Sequence, residues 1–241
     1  MVLPRVSAAR KRTLPAVRLG TTLPRCTKGD VAAKDQLTAA IHAAGIRDPR
    51  VLEAFRAIPR EGYVPTHLAG RAYEDVPLPI PHGQVTTQPS LIAKMIEALN
   101  LQGHERVLEI GTGYGFQTAL LASLAREVWS VERFGDVAET ARKNLRAHGI
   151  DNAHVVNEDG SRGLSGRRTY QGIVVAAACS QVPQPLAGQL APGGRLVQPI
   201  GPGGCEDVTL FVEDGGRLVA REILTGAHFV QLVGEHGFAP S

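Results

Sequence analysis

The chain has 241 residues and a net charge of +3, with 43% hydrophobic and 20% charged residues, which is typical of a soluble globular protein. No apolar run approaches the roughly 18 residues that a membrane-spanning helix needs, so we expect no such helix. The three cysteines form no Cys-x-x-Cys pair and the eight histidines show no metal-binding spacing, which argues against a disulfide framework and against a metal site.

The positive charge is concentrated at the N-terminal end. Residues 1–29 contain seven basic residues and no acidic ones, so the rest of the chain has 19 basic and 23 acidic residues, a net charge of about −4. Because residues 1–29 lack hydrophobic periodicity, we predict a basic, disordered tail. Their composition is compatible with an organellar transit peptide or a nucleic-acid-binding tail. We favour a tail without a specific role and expect a cytoplasmic protein.

Residues 30–57 are predicted to form two helices, because apolar residues recur on one face of each. Gly45 predicts the end of the first helix, and Asp48-Pro49 predicts the beginning of the second. Prolines are frequent from Pro59 to Pro89, and we expect little regular structure there. A helix over Pro89–Leu99 follows, with proline at its start.

From residue 106 onward, strand-like and helix-like segments alternate. Strands are predicted at 106–110, 127–131, 153–157, 172–178, 194–199, 207–213 and 227–233, and helices at 116–125, 136–147 and 183–190. The strand at 172–178 is apolar throughout, as a central parallel strand should be. No helix separates the last two strands, which suggests an antiparallel end to the sheet. We therefore predict a single α/β domain over 30–241, with a cap at 30–105 and a mostly parallel seven-stranded sheet at 106–241.

The stretch VLEIGTGYGFQTALLA, residues 107–122, reads as a buried strand, a glycine turn and a helix. Gly111, Gly113 and Gly115 allow the backbone to turn sharply and to approach a ligand closely. Open α/β sheets bind nucleotide-like cofactors at this place, beside the N-terminus of the helix. The sequence thus predicts a cofactor site at the glycine turn.

Acidic residues at three strand ends indicate which cofactor binds. Glu132, 21 residues after Gly111, could bind ribose hydroxyls in a dinucleotide or in S-adenosylmethionine. Glu109 would repel a pyrophosphate but suits the cationic sulfonium and ammonium of S-adenosylmethionine. Asp159 could accept a hydrogen bond from the adenine amino group. We therefore favour S-adenosylmethionine over NAD, and with it the class I methyltransferase fold, which is Rossmann-like.

The end of the predicted strand at 172–178 argues against methylation of nucleic-acid bases. Enzymes that methylate base amino groups usually have Asp/Asn-Pro-Pro-aromatic there, and pyrimidine C5 methylases need a cysteine beside proline. This chain has Ala176-Ala177-Ala178-Cys179 followed by serine. We expect no nucleic-acid partner. The alternative from another class is a nucleic-acid-binding or partner-binding protein that uses residues 1–29 and has lost catalysis.

The segment AYEDVPLPIPHGQVTTQPSLI, residues 72–92, resembles the protein-L-isoaspartate (D-aspartate) O-methyltransferases, as do Tyr63-Val64-Pro65, the glycine turn and Asp159-Gly160. The match runs from about residue 35 to 234. The resemblance implies methylation of the α-carboxylate of L-isoaspartyl residues in damaged proteins and peptides, which initiates their repair through a succinimide and leaves S-adenosylhomocysteine. Such a carboxylate is already ionised at pH 7, so no general base is required.

The resemblance also implies roles for individual residues. Gly111, Gly113 and Glu109 would hold the methionine part of the cofactor, Glu132 the ribose, and Asp159 with Gly160 the adenine. Residues 84–88 would lie over the methyl group, and of these Gln84, Val85 and Gln88 are expected to contact the cofactor. Thr87 stands where the family usually has serine and is the candidate that orients the reacting carboxylate, with Thr86 as the spare hydroxyl.

Three departures from the family pattern concern the substrate. Thr87 replaces a serine, Pro81 a glycine, and Gln231 a proline in the segment 228–233, which in the family lines the peptide groove. They motivate an alternative function, a peptide-tailoring homologue that methylates a normal aspartate of a dedicated substrate. His82 is interpreted as an exposed loop residue and Gln117 as a surface residue. We expect a monomer.

Overall fold

The computed structural model describes residues 28–239 except 165, 167, 168 and 203. Two helices form the first part of this range. Helix α1 spans Lys28–Ala43 and helix α2 spans Pro49–Ala57, which confirms the two predicted helices. The Asp48 carboxylate begins α2 by accepting a hydrogen bond from the backbone N–H of Arg50. The predicted disordered tail lies outside the described residues, except for its last two, which belong to α1.

The segment between Pro59 and Pro89 has more regular structure than its prolines suggest, so that expectation was wrong. Two short 3-10 turns are followed by strand β1, Leu78–Ile80, and strand β2, Gln84–Thr86, which pair antiparallel as a hairpin. The turn is closed by His82 and Gly83, which both have positive φ. A proline is tolerated in β1 because each strand of a two-stranded hairpin has a free edge. Helix α3 spans Pro89–Leu99, as predicted.

A seven-stranded sheet is formed by the rest of the chain. Its strands are β3 (Arg106–Ile110), β4 (Glu127–Glu132), β5 (Ala153–Asn157), β6 (Tyr170–Val175), β7 (Leu190–Ile200), β8 (Glu206–Asp214) and β9 (Arg217–Ala227). The helices between them are α4 (Phe116–Leu124), α5 (Gly135–Ala147) and α6 (Gln184–Gly188). The strand order is β5-β4-β3-β6-β7-β8-β9, parallel from β5 to β7 and antiparallel beyond. This confirms the mostly parallel sheet with an antiparallel end, and it puts the topological switch point between β3 and β6.

The prediction of a last strand at 227–233 was wrong. Strand β9 ends at Ala227, because the Gly215-Gly216 turn closes a hairpin directly after β8. The residues that follow cross the end of β6 instead. There the N–H of Ala178 donates to the carbonyl of Val230, and the N–H of Leu232 donates to the carbonyl of Ala178. An apolar stretch thus forms a wall at the carboxyl end of the sheet rather than a strand within it.

Both faces of the central strands of the sheet are buried. Val107 and Val174 belong to the apolar cluster that contains α1, α2, α3 and α4, while Leu108 and Ile173 belong to a cluster on the opposite face. The alternation of side chains along a strand explains why β3 and β6 read as continuous apolar runs. Among the described residues, no helix is long and apolar enough to cross a membrane. The division into a cap at 30–105 and a sheet at 106–241 stays a prediction.

A buried cation ties the hairpin to the rest of the fold. The guanidinium of Arg60 is fully buried and donates to the carbonyls of Ala72, Glu74 and Val76 at 2.8–3.1 Å. It also donates to the Thr86 hydroxyl at 3.1 Å and lies over the ring of Phe116, at the start of α4. Burial lowers the pKa of Arg60 to about 10, so the group stays protonated at neutral pH.

Replacing Arg60 should therefore destabilise the protein. We expect Arg60→Met to lower the free energy of unfolding by about 3 kcal/mol, because three carbonyls and a hydroxyl lose a charged donor. Urea denaturation measures this change. The control is Arg71→Met, which removes an exposed cation paired with Glu74 and should leave the free energy of unfolding almost unchanged. Equal losses in the two variants would contradict the anchoring role of Arg60.

Candidate active site

A cavity of about 900 Å³, counting the solvent open to it, lies at the carboxyl ends of β3 and β6. Its walls come from the hairpin (84–87), the glycine turn (110–114), the end of β4 (131–133) and the segment 230–233. It therefore occupies the switch point of the sheet, where open α/β folds bind their ligands. Among the described residues, no three side chains are grouped as a metal site would require.

The glycine turn has the backbone that only glycine adopts easily. Gly111, Gly113 and Gly115 have φ values of +93°, +54° and +94°. A Cβ on Gly111 would also lie 3.3 Å from the Cβ of Ala176, which follows directly after the neighbouring strand β6. Two of these glycines, at 111 and 113, line the cavity, and their predicted contact with a cofactor stays a prediction.

Glu132, at the end of β4, lines the cavity beside the glycine turn. Its carboxylate accepts hydrogen bonds from the backbone N–H of Gly113 at 3.0 Å and of Phe134 at 3.1 Å. Burial raises the pKa of Glu132, and these N–H donors act in the opposite direction. The placement agrees with the predicted ribose-binding role, which stays a prediction.

Glu109 does not line the cavity, although the sequence predicted that it would contact the cofactor. It is fully buried on the α4 face of the sheet, the face of Val107, because side chains alternate along β3. One carboxylate oxygen accepts hydrogen bonds from Ser130 at 2.6 Å and from Thr118 at 2.5 Å. Burial raises the pKa of Glu109 to about 7. Any influence on a ligand must therefore be indirect.

Asp159 and Gly160 are placed differently from each other. Gly160 lines the cavity, and a Cβ there would lie 2.5 Å from Cγ2 of Ile110, so only glycine fits. Asp159 is not part of the lining. Its carboxylate accepts hydrogen bonds from the N–H and hydroxyl of Ser161 and from the N–H of Glu235. It thereby holds the residues that follow the wall at 230–233, and its predicted contact with adenine stays a prediction.

The hairpin loop brings most of its predicted residues to the cavity. Gln84, Val85, Thr86 and Thr87 line it, but Gln88 does not. The amide of Gln88 instead donates to Asp75 and Ser90. The Thr86 hydroxyl accepts from the N–H of Leu78 and from Arg60, which closes the hairpin. Thr87 is thus the better candidate of the two threonines for contact with a substrate.

Sequence reasoning missed several cavity residues. Thr112 lines the cavity, and so does Gln117, which is only 6% exposed and not the surface residue that we expected. The signal for Gln117 is its place in the first turn of α4, directly after the glycine turn. His82 is exposed, as expected, but its ring stacks on Phe134 at 4.2 Å and its Nε2 lies 2.9 Å from the Asp136 carboxylate. The hairpin tip therefore contacts the start of α5.

Comparisons with known proteins agree with this geometry. Residues 32–237 match the family model described as Protein-L-isoaspartate(D-aspartate) O-methyltransferase (PCMT). The protein-L-isoaspartate O-methyltransferase of Methanoculleus marisnigri is 50% identical over 198 residues, which cover 82% of this chain and 90% of that protein. Protein-L-isoaspartate O-methyltransferase 1 of Rhodopseudomonas palustris is 46% identical over 200 residues, which cover 83% and 82%.

Solved structures show the same fold. A protein-L-isoaspartate O-methyltransferase superimposes with a TM-score of 0.75 at 28% identity, covering 85% of this chain and 67% of that one. The Plasmodium falciparum beta-aspartate methyltransferase (PCMT), solved in complex with S-adenosyl-L-homocysteine, superimposes with a TM-score of 0.73 at 21% identity, covering 83% and 98%. The predicted fold class is thereby confirmed.

The buried carboxyl of Glu109 should make stability depend on pH. Its pKa is raised from 4.5 to about 7 in the folded state, so the folded chain holds this proton more tightly than the unfolded chain does. The stability that this group contributes is complete below pH 4.5 and is lost as the pH rises through 7. Between these limits, the unfolding free energy of the wild type should fall by about 3 kcal/mol relative to Glu109→Gln. Denaturation curves across this range measure the difference, and a difference that is independent of pH would contradict the assignment.

Proposed function

Because the chain belongs to the protein-L-isoaspartate (D-aspartate) O-methyltransferase family, we propose that its cavity binds S-adenosylmethionine next to an isoaspartyl carboxylate. The enzyme methylates the α-carboxylate of L-isoaspartyl residues in damaged proteins and peptides, which initiates their repair through a succinimide. One observation carries the proposal for the site. The loop 84–87, which bears the pattern specific to the family, faces the glycine turn across a single cavity.

The residues around the cavity fit the cofactor. S-adenosylmethionine supplies a methyl group on a positively charged sulfur, and S-adenosylhomocysteine is the product. Gly111 and Gly113 would admit its methionine part, since a side chain at Gly111 would press against Ala176, which also lines the cavity. The Glu132 carboxylate would accept hydrogen bonds from the ribose hydroxyls. Gly160 would leave room for the adenine, beside Ile110.

The protein contributes position rather than acid–base chemistry. A substrate carboxylate is ionised at pH 7, so no side chain needs to remove a proton. Part of the cavity wall is apolar, with Ile80, Ala176 and Ala177 among its residues. Such a wall excludes water, which strengthens the attraction between an anionic nucleophile and a cationic methyl donor. The remaining requirement is a group that aims the carboxylate.

We assign that task to Thr87. The residue lies on the cavity wall and is half-buried, next to the end of β2. The hydroxyl of Thr86 already accepts two hydrogen bonds within the hairpin and has a structural use. A threonine hydroxyl can donate one hydrogen bond to a carboxylate, as serine does, while its methyl group restricts χ1.

We also propose that the enzyme acts as a monomer in the cytoplasm and without a nucleic-acid partner. The cytoplasmic location is supported by Cys179 and Cys205, which are both free thiols in the described part of the chain. The absence of a nucleic-acid partner is supported by the small side chains of Ala176 and Ala177 on the cavity wall, where base methylases need groups that hold the base.

The substrate is tested by methyl transfer from labelled S-adenosylmethionine to two matched peptides, one isoaspartyl and one aspartyl. We expect the initial rate on the isoaspartyl peptide to be at least about 100-fold higher, because a carboxylate displaced by one methylene is misaligned with the methyl group. Activity on neither peptide, with S-adenosylhomocysteine still bound, would contradict the repair assignment. It would instead favour a dedicated peptide substrate.

The role of Thr87 is tested by Thr87→Val, which keeps the shape and removes the hydroxyl. We expect kcat/KM for the isoaspartyl peptide to fall about 10-fold to 100-fold, with an unchanged Kd for S-adenosylhomocysteine. Thr87→Ser should restore most of the activity. The control is Thr225→Val, on β9; within the described part of the chain, the Thr225 hydroxyl bonds only to the neighbouring Gly226 carbonyl. An unchanged kcat/KM in Thr87→Val would contradict the assignment of Thr87 as the group that orients the carboxylate.

A further inference from the structure

The turn of the hairpin holds a histidine in a strained backbone conformation. His82 and Gly83 are the two residues between the paired ends of β1 and β2 that have positive φ, +62° and +66°. A hairpin turn with positive φ at both residues favours asparagine followed by glycine, because a larger side chain crowds the backbone there. A strained residue persists where contacts outside the turn hold it in place.

His82 makes such contacts with the segment that joins β4 to α5. Its ring stacks on the ring of Phe134, with the centroids 4.2 Å apart and the planes 6° from parallel. Its Nε2 lies 2.9 Å from both carboxylate oxygens of Asp136, in the first turn of α5. These three side chains, His82, Phe134 and Asp136, are called the clasp below.

The clasp connects two walls of the cavity. Gln84 lines the cavity from the hairpin, and its side-chain amide donates to the carbonyl of His82. Glu132 and Arg133 line the cavity from the end of β4, directly before Phe134 in the chain. The N–H of Phe134 donates to the Glu132 carboxylate. Each half of the clasp is therefore continuous with one wall, and the contact between the halves bridges the edge of the cavity.

The two ends of the hairpin are held by contacts of different kinds. At the base, the Thr86 hydroxyl accepts hydrogen bonds from the buried guanidinium of Arg60 and from the N–H of Leu78. At the tip, the side chains of His82 and Asp136 are 40% and 63% exposed, so water competes with their contact. Segments held by exposed contacts open at a lower free energy than segments held by buried ones. The tip is therefore the part of the hairpin that can move outward while the base stays in place.

We propose that the clasp controls the exchange of the cofactor: when His82 leaves Phe134 and Asp136, the hairpin tip opens and the ligand enters or leaves the cavity. The inference rests on the proposed function, because it takes S-adenosylmethionine as the occupant. It concerns the rate of exchange, since none of the three clasp residues lines the cavity. A clasp that closes equally with and without ligand slows entry and exit by the same factor and leaves the affinity unchanged.

The experiment measures the association and dissociation rate constants of S-adenosylhomocysteine by surface plasmon resonance. We expect His82→Asn, which fits the turn but cannot stack on Phe134, to raise both rate constants about fivefold and to leave Kd within about twofold. Asp136→Ala should raise both in the same way. The double variant should be no faster than His82→Asn, because both substitutions open the same contact. The matched control is His104→Asn, which removes an exposed histidine beside Glu105, outside the hairpin, and should change neither rate constant.

Amide hydrogen exchange of the protein without ligand provides a second measurement. We expect the amides of residues 82–85 to exchange faster in His82→Asn than in the wild type, and those of α3 to exchange at the same rate. If His82→Asn changes neither rate constant, or raises only the dissociation rate constant, the inference is overturned and the proposed function stands. Unchanged exchange at residues 82–85 overturns it as well. If the wild type does not bind S-adenosylhomocysteine, the proposed function fails and the inference fails with it.

Discussion

The active site depends on one buried cation, the guanidinium of Arg60. A planar group with five N–H donors can satisfy several carbonyls at once, and here the carbonyls of Ala72, Glu74 and Val76 converge on it. These carbonyls belong to the segment that leads into the hairpin, which has little regular structure to hold it. The same group binds Thr86 at the end of β2 and contacts Phe116 at the start of α4. The hairpin and the start of α4, on two sides of the cavity, are therefore tied together by a single side chain.

The segment 228–236 forms another wall of the cavity and is also held by buried polar groups. The carboxylate of Glu206, fully buried at the start of β8, accepts a hydrogen bond from the N–H of Phe229. At the other end, Asp159 accepts from the N–H of Glu235. Charge-assisted hydrogen bonds are stronger and more directional than neutral ones. They allow a loop outside the sheet ladder to keep a fixed position beside the cavity.

The elements that the sequence predicted well are those whose side chains decide the structure locally. Apolar runs predicted β3 and β6, and Asp48-Pro49 predicted the start of α2. The hairpin was missed because its strands have three residues each and its position depends on Arg60, which lies far away in sequence. Strand β9 was missed because it is an exposed edge strand, in which even Ile223 is 61% exposed. Periodicity carries little information for either element.

At the site, the sequence predicted which residues lie at the strand ends more reliably than it predicted which way their side chains point. An acidic strand end was correctly expected at both Glu109 and Glu132, but only Glu132 faces the cavity. The difference arises because side chains alternate between the two faces of a strand. Glu109 points to the face that α4 covers. A buried carboxylate there raises the free energy of the protein without a ligand, as the raised pKa of Glu109 indicates. A reaction that joins an anion to a cationic methyl donor needs charge and position but no proton transfer. Glu109 is therefore not needed as a base, and its buried place behind the glycine turn, outside the cavity, agrees with that.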